Sequence, residues 1–128
     1  MENNNKIRIM LVDDNPSTLY AIKDLIEDED RISIVAEAVN GIEAVSLSKR
    51  HNPDIILMDV KMPEMDGIEA TRIIKKDNQA VKIIGLTSFG SERIEKSILE
   101  AGAVSFLDKS DMSADRLLNG IKDVVYNK

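Results

Sequence analysis

Five short apolar runs punctuate this chain: Ile7 to Val12, Ile32 to Ala38, Ile55 to Met58, Val81 to Leu86 and Val104 to Leu107. Each is rich in β-branched residues, only a few residues long, and without clean alternation, which is how a strand buried on both faces reads. Between them lie longer stretches with helical spacing. Leu19, Ile22, Leu25 and Ile26 make one face, Ala70, Ile73 and Ile74 a second, and Ile94, Ile98 and Ala101 a third. Leu117, Leu118, Ile121, Val124 and Val125 form the clearest stripe. The stretch from Gly41 to His51 is weaker, with Ile42, Val45 and Leu47 as its expected core face. Strand and helix alternate five times, and such alternation requires parallel strands, right-handed crossovers and helices on both faces. The predicted class is α/β, a doubly wound five-stranded parallel sheet.

Punctuation supports these boundaries. Asn15-Pro16 reads as an N-cap followed by proline at the first helical position. Asn40-Gly41 and Ser91 open the second and fourth helices, and Asn52-Pro53 stops the second. Gly102 sits where a helix end needs a left-handed residue. There is no linker-like or repetitive segment, so residues 1–128 are expected to form one domain, with 1–5 as a disordered leader.

Composition narrows the function. With 128 residues, 43% apolar and 31% charged, the chain suits one compact domain. It contains no Cys, which excludes disulfide scaffolds, Cys-ligated zinc and thiol catalysis, and its single His51 excludes two-His metal sites. The formal charge of −6 and the lack of a basic run argue against direct nucleic-acid binding. Arg8 and Asp13 interrupt the first apolar run, so neither a signal peptide nor a membrane contact is expected, and a cytoplasmic location is.

In open parallel sheets, ligands bind beyond the carboxyl ends of the strands. The first strand ends in Asp13-Asp14, the third in Asp59, the fourth in Thr87-Ser88 and the fifth in Asp108-Lys109. Carboxylates crowded at one edge repel unless a cation sits among them, and a hard divalent ion, Mg²⁺ above all, is the economical partner. Such an ion beside a lysine and a hydroxyl supplies what phosphoryl transfer needs. No Gly-rich phosphate loop is present, so nucleotide binding is not expected. Without Cys, the candidate nucleophile is a carboxylate, which can form an acyl phosphate.

Val12-Asp13-Asp14, Leu57 to Gly67 (Leu-Met-Asp-Val-Lys-Met-Pro-Glu-Met-Asp-Gly), Leu86-Thr87-Ser88 and Phe106-Leu107-Asp108-Lys109 together resemble the receiver domain of two-component response regulators. The resemblance covers essentially the whole chain. It implies a flavodoxin-like strand order of 2-1-3-4-5. It implies that Asp59 accepts a phosphoryl group from a sensor histidine kinase or phosphotransfer protein. By the same resemblance, Asp13, Asp14, Asp59 and the backbone carbonyl of Lys61 hold Mg²⁺ (or Mn²⁺), Asp14 directly and Asp13 largely through water. Thr87 and Lys109 contact the phosphoryl group, and Phe106 is an aromatic switch residue that follows Thr87. The implied output face runs from about Ser91 to Tyr126, comprising helix four, strand five and helix five. It would serve a downstream output domain or protein, or a homodimer.

Alone, each motif has a bland reading: Asp13-Asp14 as a solvated turn, Asp59 as a cap, Thr87 and Lys109 as ordinary strand-end and surface residues. Together they would be four accidents at one sheet edge. His51 reads as a surface residue at a helix end, Met10 and Met58 as core filler, and Met62 and Met65 as loop residues open to exposure. Three positions depart from common receiver patterns. Phe106 lacks the hydroxyl of the Tyr often found there, Ser88 replaces a small Ala, and Ser110 replaces a Pro after Lys109. The Lys-Ser-Asp-Met-Ser run is similar to receivers joined to helix-turn-helix output domains, although no such domain is encoded before Lys128. Two other functions compete with a signalling domain that is not a multiple-turnover enzyme. One is a non-phosphorylated interaction module. The other is an aspartyl-phosphate phosphatase of the haloacid dehalogenase type, disfavoured because Lys61 stands where that family needs a second Asp.

Overall fold

The structure is a computed structural model, and it describes residues 6–88 and 92–126. The chain runs β1 (Ile7–Val12), α1 (Pro16–Ile26), β2 (Ile32–Ala38), α2 (Gly41–His51), β3 (Ile55–Asp59), α3 (Gly67–Asp77), β4 (Lys82–Thr87), α4 (Glu92–Ala101), β5 (Ser105–Asp108), a 3-10 turn at Lys109–Asp111, and α5 (Ala114–Tyr126). All strand pairs are parallel, in the order β2-β1-β3-β4-β5. The expected α/β class, strand number and strand order are all present. The leader 1–5 and Ser91 lie outside the described residues.

The sheet's two faces carry separate cores. Ile9, Leu11, Ile55, Leu57, Ile84 and Leu86 pack against α1 and α5 through Leu19, Ile22, Ile26, Leu117 and Ile121. Met10, Val12, Ile56, Met58 and Ile83 point the other way, onto Ala44, Ala70, Ile74 and Ile98 of α2, α3 and α4. Met10 and Met58 are indeed core filler, fully buried. Met62 and Met65 are half-buried against the second core rather than open to solvent.

The caps follow the sequence. Asn15 accepts from the Ser17 N–H at 2.9 Å, with Pro16 opening α1. Asn40 accepts from the Glu43 N–H at 2.8 Å, and Glu43 in turn accepts from the Val39 N–H at 3.0 Å. Asn52 ends α2 in the left-handed region at φ 50°. Gly102, at φ 123°, closes α4 with bonds from its own N–H to the Leu99 carbonyl and from the Ala103 N–H to the Ile98 carbonyl, a Schellman end.

Two expectations fail, each for a tertiary reason. The edge strands β2 and β5 are mostly half-buried rather than covered on both faces, because each has a neighbour on one side only. The buried face of α2 is Gly41, Ala44 and Ser48, while Ile42 stands 50% exposed and Val45 and Leu47 are only half-buried. The small face is imposed by the β3–α3 loop. The Gly41 N–H donates to the Met65 carbonyl at 2.9 Å, and a Cβ at position 41 would overlap that carbonyl and the Met65 side chain.

Candidate functional site

Between β2 and β3 the chain crosses β1 and reverses direction across the sheet, so the crevice between the carboxyl ends of β1 and β3 is the switch point where such folds bind ligands. Asp13 follows β1 and Asp59 ends β3 on its two sides, with Val12 paired to Met58 just beneath. The cleft there measures about 440 Å³ and is lined by Asp13, Asp14, Asp59, Lys61, Thr87 and Lys109, with Asn15, Val60, Leu86, Ser88 and Ile94 completing its walls. The structure therefore gathers the expected acidic, hydroxyl and lysine residues at one edge. Phe106 is not in the cleft wall: it is half-buried on the second core, below the site.

Asp13 is fully buried and Asp59 is 5% exposed, whereas Asp14 is open to solvent. One ammonium serves both buried carboxylates: Lys109 Nζ donates to Asp13 Oδ2 at 2.8 Å and to Asp59 Oδ1 at 3.1 Å. Backbone donors fix the remaining geometry. The Asn15 N–H donates to Asp13 Oδ1 at 2.9 Å, and the Val60 N–H donates to Asp59 Oδ1 at 3.0 Å. The hydroxyl of Thr87, a buried residue, donates to the Leu107 carbonyl at a long 3.4 Å, a bond weak enough to be exchanged for a better acceptor.

Charge does not balance in this cluster. Asp13, Asp14 and Asp59 each bring an oxygen within 4.8 Å of the others, and among the described residues Lys109 is the one ammonium bonded to them. Three negative charges against one positive leave two uncompensated, which is what one divalent cation neutralises. All-oxygen donors of this kind suit a hard cation. The strain shows in the titration of Asp59, pushed up to about 6 from 3.8 by burial first and the Asp13 charge second, against the pull of Lys109. Burial acts to lower Lys109, but its hydrogen bond to Asp13 and the charge of Asp59 outweigh that, and its net move is upward.

Two site residues were not legible as such. Asn15 reads as a helix cap, yet its N–H also orients Asp13, a turn geometry seen only once the Asp13 side chain is placed. Gly67 closes the Leu57 to Gly67 run, and its spacing alone gives it no role. Asp66 is in fact the α3 N-cap, and a Cβ on Gly67 would overlap the carbonyl oxygen of Asp59. The intimate contact between the α3 N-terminus and the end of β3 therefore demands glycine.

Comparison with known proteins agrees with this geometry. The family model described as the response regulator receiver domain matches residues 9–122. The chemotaxis protein CheY of Bacillus subtilis is 40% identical over 114 residues, covering 89% of this chain and 93% of its own. The transcriptional regulatory protein DegU of Brevibacillus brevis is 36% identical over 122 residues, 95% of this chain but 51% of its own, so the chain spans about half the length of that relative. Among solved structures, the CheX–CheY–BeF3–Mg²⁺ complex from Borrelia burgdorferi superposes with a TM-score of 0.87 at 28% identity, covering 94% of this chain and 90% of that one. Receiver domains are signalling domains that hold a divalent metal in their acidic pocket, although some relatives, such as the protein-glutamate methylesterases, carry enzymes alongside. No helix among the described residues is long and apolar enough to cross a membrane. By sequence, topology and pocket alike, this chain belongs to the response regulator receiver domain family.

Proposed function

We propose that Asp59 accepts a phosphoryl group from a phosphohistidine on a sensor histidine kinase or phosphotransfer protein. A carboxylate oxygen of Asp59 bonds to phosphorus as the phosphorus–nitrogen bond breaks, and the imidazole leaves with the electron pair. Asp13, Asp14, Asp59 and the Lys61 carbonyl would hold the divalent ion, read as Mg²⁺ with Mn²⁺ able to replace it. That ion supplies charge neutralisation for the incoming phosphoryl group. The Mg²⁺ and BeF3 named with the Borrelia CheY support this reading.

The observation that carries the reading is the shared ammonium: Lys109 already bridges Asp13 and the acceptor carboxylate. Once Asp59 is phosphorylated, Lys109 and the Thr87 hydroxyl turn to phosphoryl oxygens. Charge-assisted hydrogen bonds are worth roughly 1.5–3 kcal/mol each, so the two supply about 3–6 kcal/mol. Moving a two-state equilibrium from 1:99 to 99:1 takes about 5.5 kcal/mol. Phosphorylation meets that requirement only at the upper end of the range, so it shifts the face made by α4, β5 and α5 partially, and the unphosphorylated chain samples the switched state already. Phe106 moves inward as Thr87 closes, acting by burial and shape without a hydroxyl.

The output is conformational rather than multiple-turnover catalysis, and it is read by a downstream domain, a separate protein or a second copy on that face. The test is labelling with acetyl phosphate and Mg²⁺. The wild-type chain gains one phosphoryl group and Asp59→Asn gains none while keeping its fold; full labelling of the variant would reassign the nucleophile.

A further inference from the structure

Three apolar residues line the acidic cleft: Val60, Leu86 and Ile94. Val60 and Leu86 are buried, whereas Ile94 is half-buried. The open part of the wall otherwise consists of polar residues, Asp14, Asn15, Lys61 and Ser88, all exposed. Among the described residues, Ile94 is therefore the one apolar residue that the cleft shares with solvent. Strand and helix registers place it over Thr87. β4 and α4 run in opposite directions, because the chain must return before it enters the parallel strand β5. Ile98 packs on Gly85, where an added Cβ would meet its Cγ1 at 2.9 Å. Thr87 stands on the same face of β4 as Gly85, two residues and about 7 Å farther along. Ile94 stands four residues before Ile98, about 6 Å back along α4. The two steps match, so Ile94 covers Thr87 as Ile98 covers Gly85, and both Thr87 and Ile94 line the cleft. Packing against the second core holds Ile94 in place.

We propose that Ile94 is the wall that keeps water off the phosphorylated acceptor, and so sets how long the phosphoryl group stays on Asp59. The inference rests on the phosphoacceptor reading. An acyl phosphate is lost by hydrolysis: a water oxygen bonds to phosphorus as the bond from phosphorus to the Asp59 oxygen breaks. The carboxylate leaves with the electron pair, and both water protons end on the released phosphate. In that reading Thr87 donates to the phosphoryl group, so a side chain covering Thr87 stands beside the reacting centre. A branched apolar group there fills space that a water would take and offers it no hydrogen-bond partner. A polar group of the same shape holds a water next to phosphorus instead.

The test is the lifetime of the label on the full chain. Wild type, Ile94→Val, Ile94→Thr and Ile94→Ala are phosphorylated with labelled acetyl phosphate and Mg²⁺, excess reagent is removed, and release of inorganic phosphate is followed. Val and Thr share one branched shape and similar helix propensity, so the pair separates polarity from packing. Ile94→Val keeps the wild-type lifetime within about twofold, whereas Ile94→Thr and Ile94→Ala shorten it about tenfold. In urea, with the fold lost, all four chains release phosphate at one rate. Equal lifetimes for the Val and Thr variants, a longer lifetime for Ile94→Ala, rates that still differ in urea, or variants that take no label would each overturn the proposal. If the wild type itself takes no label, the phosphoacceptor reading falls and this inference with it; label with equal lifetimes removes this inference alone.

Discussion

In the absence of a divalent ion, the fold disfavours the ionised form of Asp59. Its carboxyl titrates at about 6 in the folded chain, against 3.8 for the free side chain, because burial and the Asp13 charge outweigh the help of Lys109. Between those pH values the folded chain holds a proton that the unfolded chain has lost. The stability this contributes is complete below about pH 4 and is lost as pH rises through about 6. The interval corresponds to about 3 kcal/mol, a large part of a domain's total. Asp59→Asn keeps the shape and removes the titration. We expect urea unfolding in EDTA to show the variant gaining on the wild type by roughly 2 kcal/mol between pH 4 and pH 8, since pH-independent effects of the amide cancel in that difference. Mg²⁺ at about a hundredfold excess over its Kd should return roughly 2.7 kcal/mol to the wild type and little to the variant. A variant-minus-wild-type difference that is the same at both pH values, or that moves against the variant as pH rises, would refute the electrostatic account.

Other consequences follow from single contacts. Lys109→Ala should impair switching by a phosphate mimic more than it weakens Mg²⁺ binding, because in the proposed reading the ammonium pairs with the phosphoryl group; equal losses in both titrations would give Lys109 another role. Gly67→Ala should destabilise by about 1–3 kcal/mol or more in thermal unfolding, since its Cβ overlaps the Asp59 carbonyl. An unchanged melting temperature would mean that the β3–α3 junction yields freely. Beryllofluoride with Mg²⁺ should shift NMR signals of Phe106 and of the α4–β5–α5 face, and shifts that stop at Thr87 would contradict the coupling. Ile98→Ala should cost about 2–5 kcal/mol, because Ile98 is fully buried and packs directly over Gly85.

Features set by short-range chemistry were legible from the chain alone. Asn15, Asn40, Asn52 and Gly102 mark helix ends because their side chains or backbones act on neighbours a few residues away. The strand-end residues Asp13, Asp59, Thr87 and Lys109 were readable because a parallel sheet must bring its carboxyl ends together. What escaped was set by partners distant in sequence. The small buried face of α2 answers to Met65, more than twenty positions after Gly41, so hydrophobic spacing within the helix pointed the wrong way. The half-exposure of β2 and β5 depends on strand order rather than strand composition. Lys75 stands beside Lys76 in the last turn of α3, where composition alone suggests solvated charge. Its ammonium instead donates to the carbonyls of Gln79 and Val81 at 2.7 Å each, and burial, then Lys82, lowers its pKa.

The most direct test of the central claim is the position of the phosphoryl group. Phosphotransfer to the chain with Mg²⁺ present, followed by reductive trapping of the acyl phosphate and peptide mass spectrometry, reads it out residue by residue. The account predicts a single trapped site at Asp59, lost when EDTA replaces Mg²⁺. Label on any other residue, or on Asp59 regardless of the divalent ion, would contradict it.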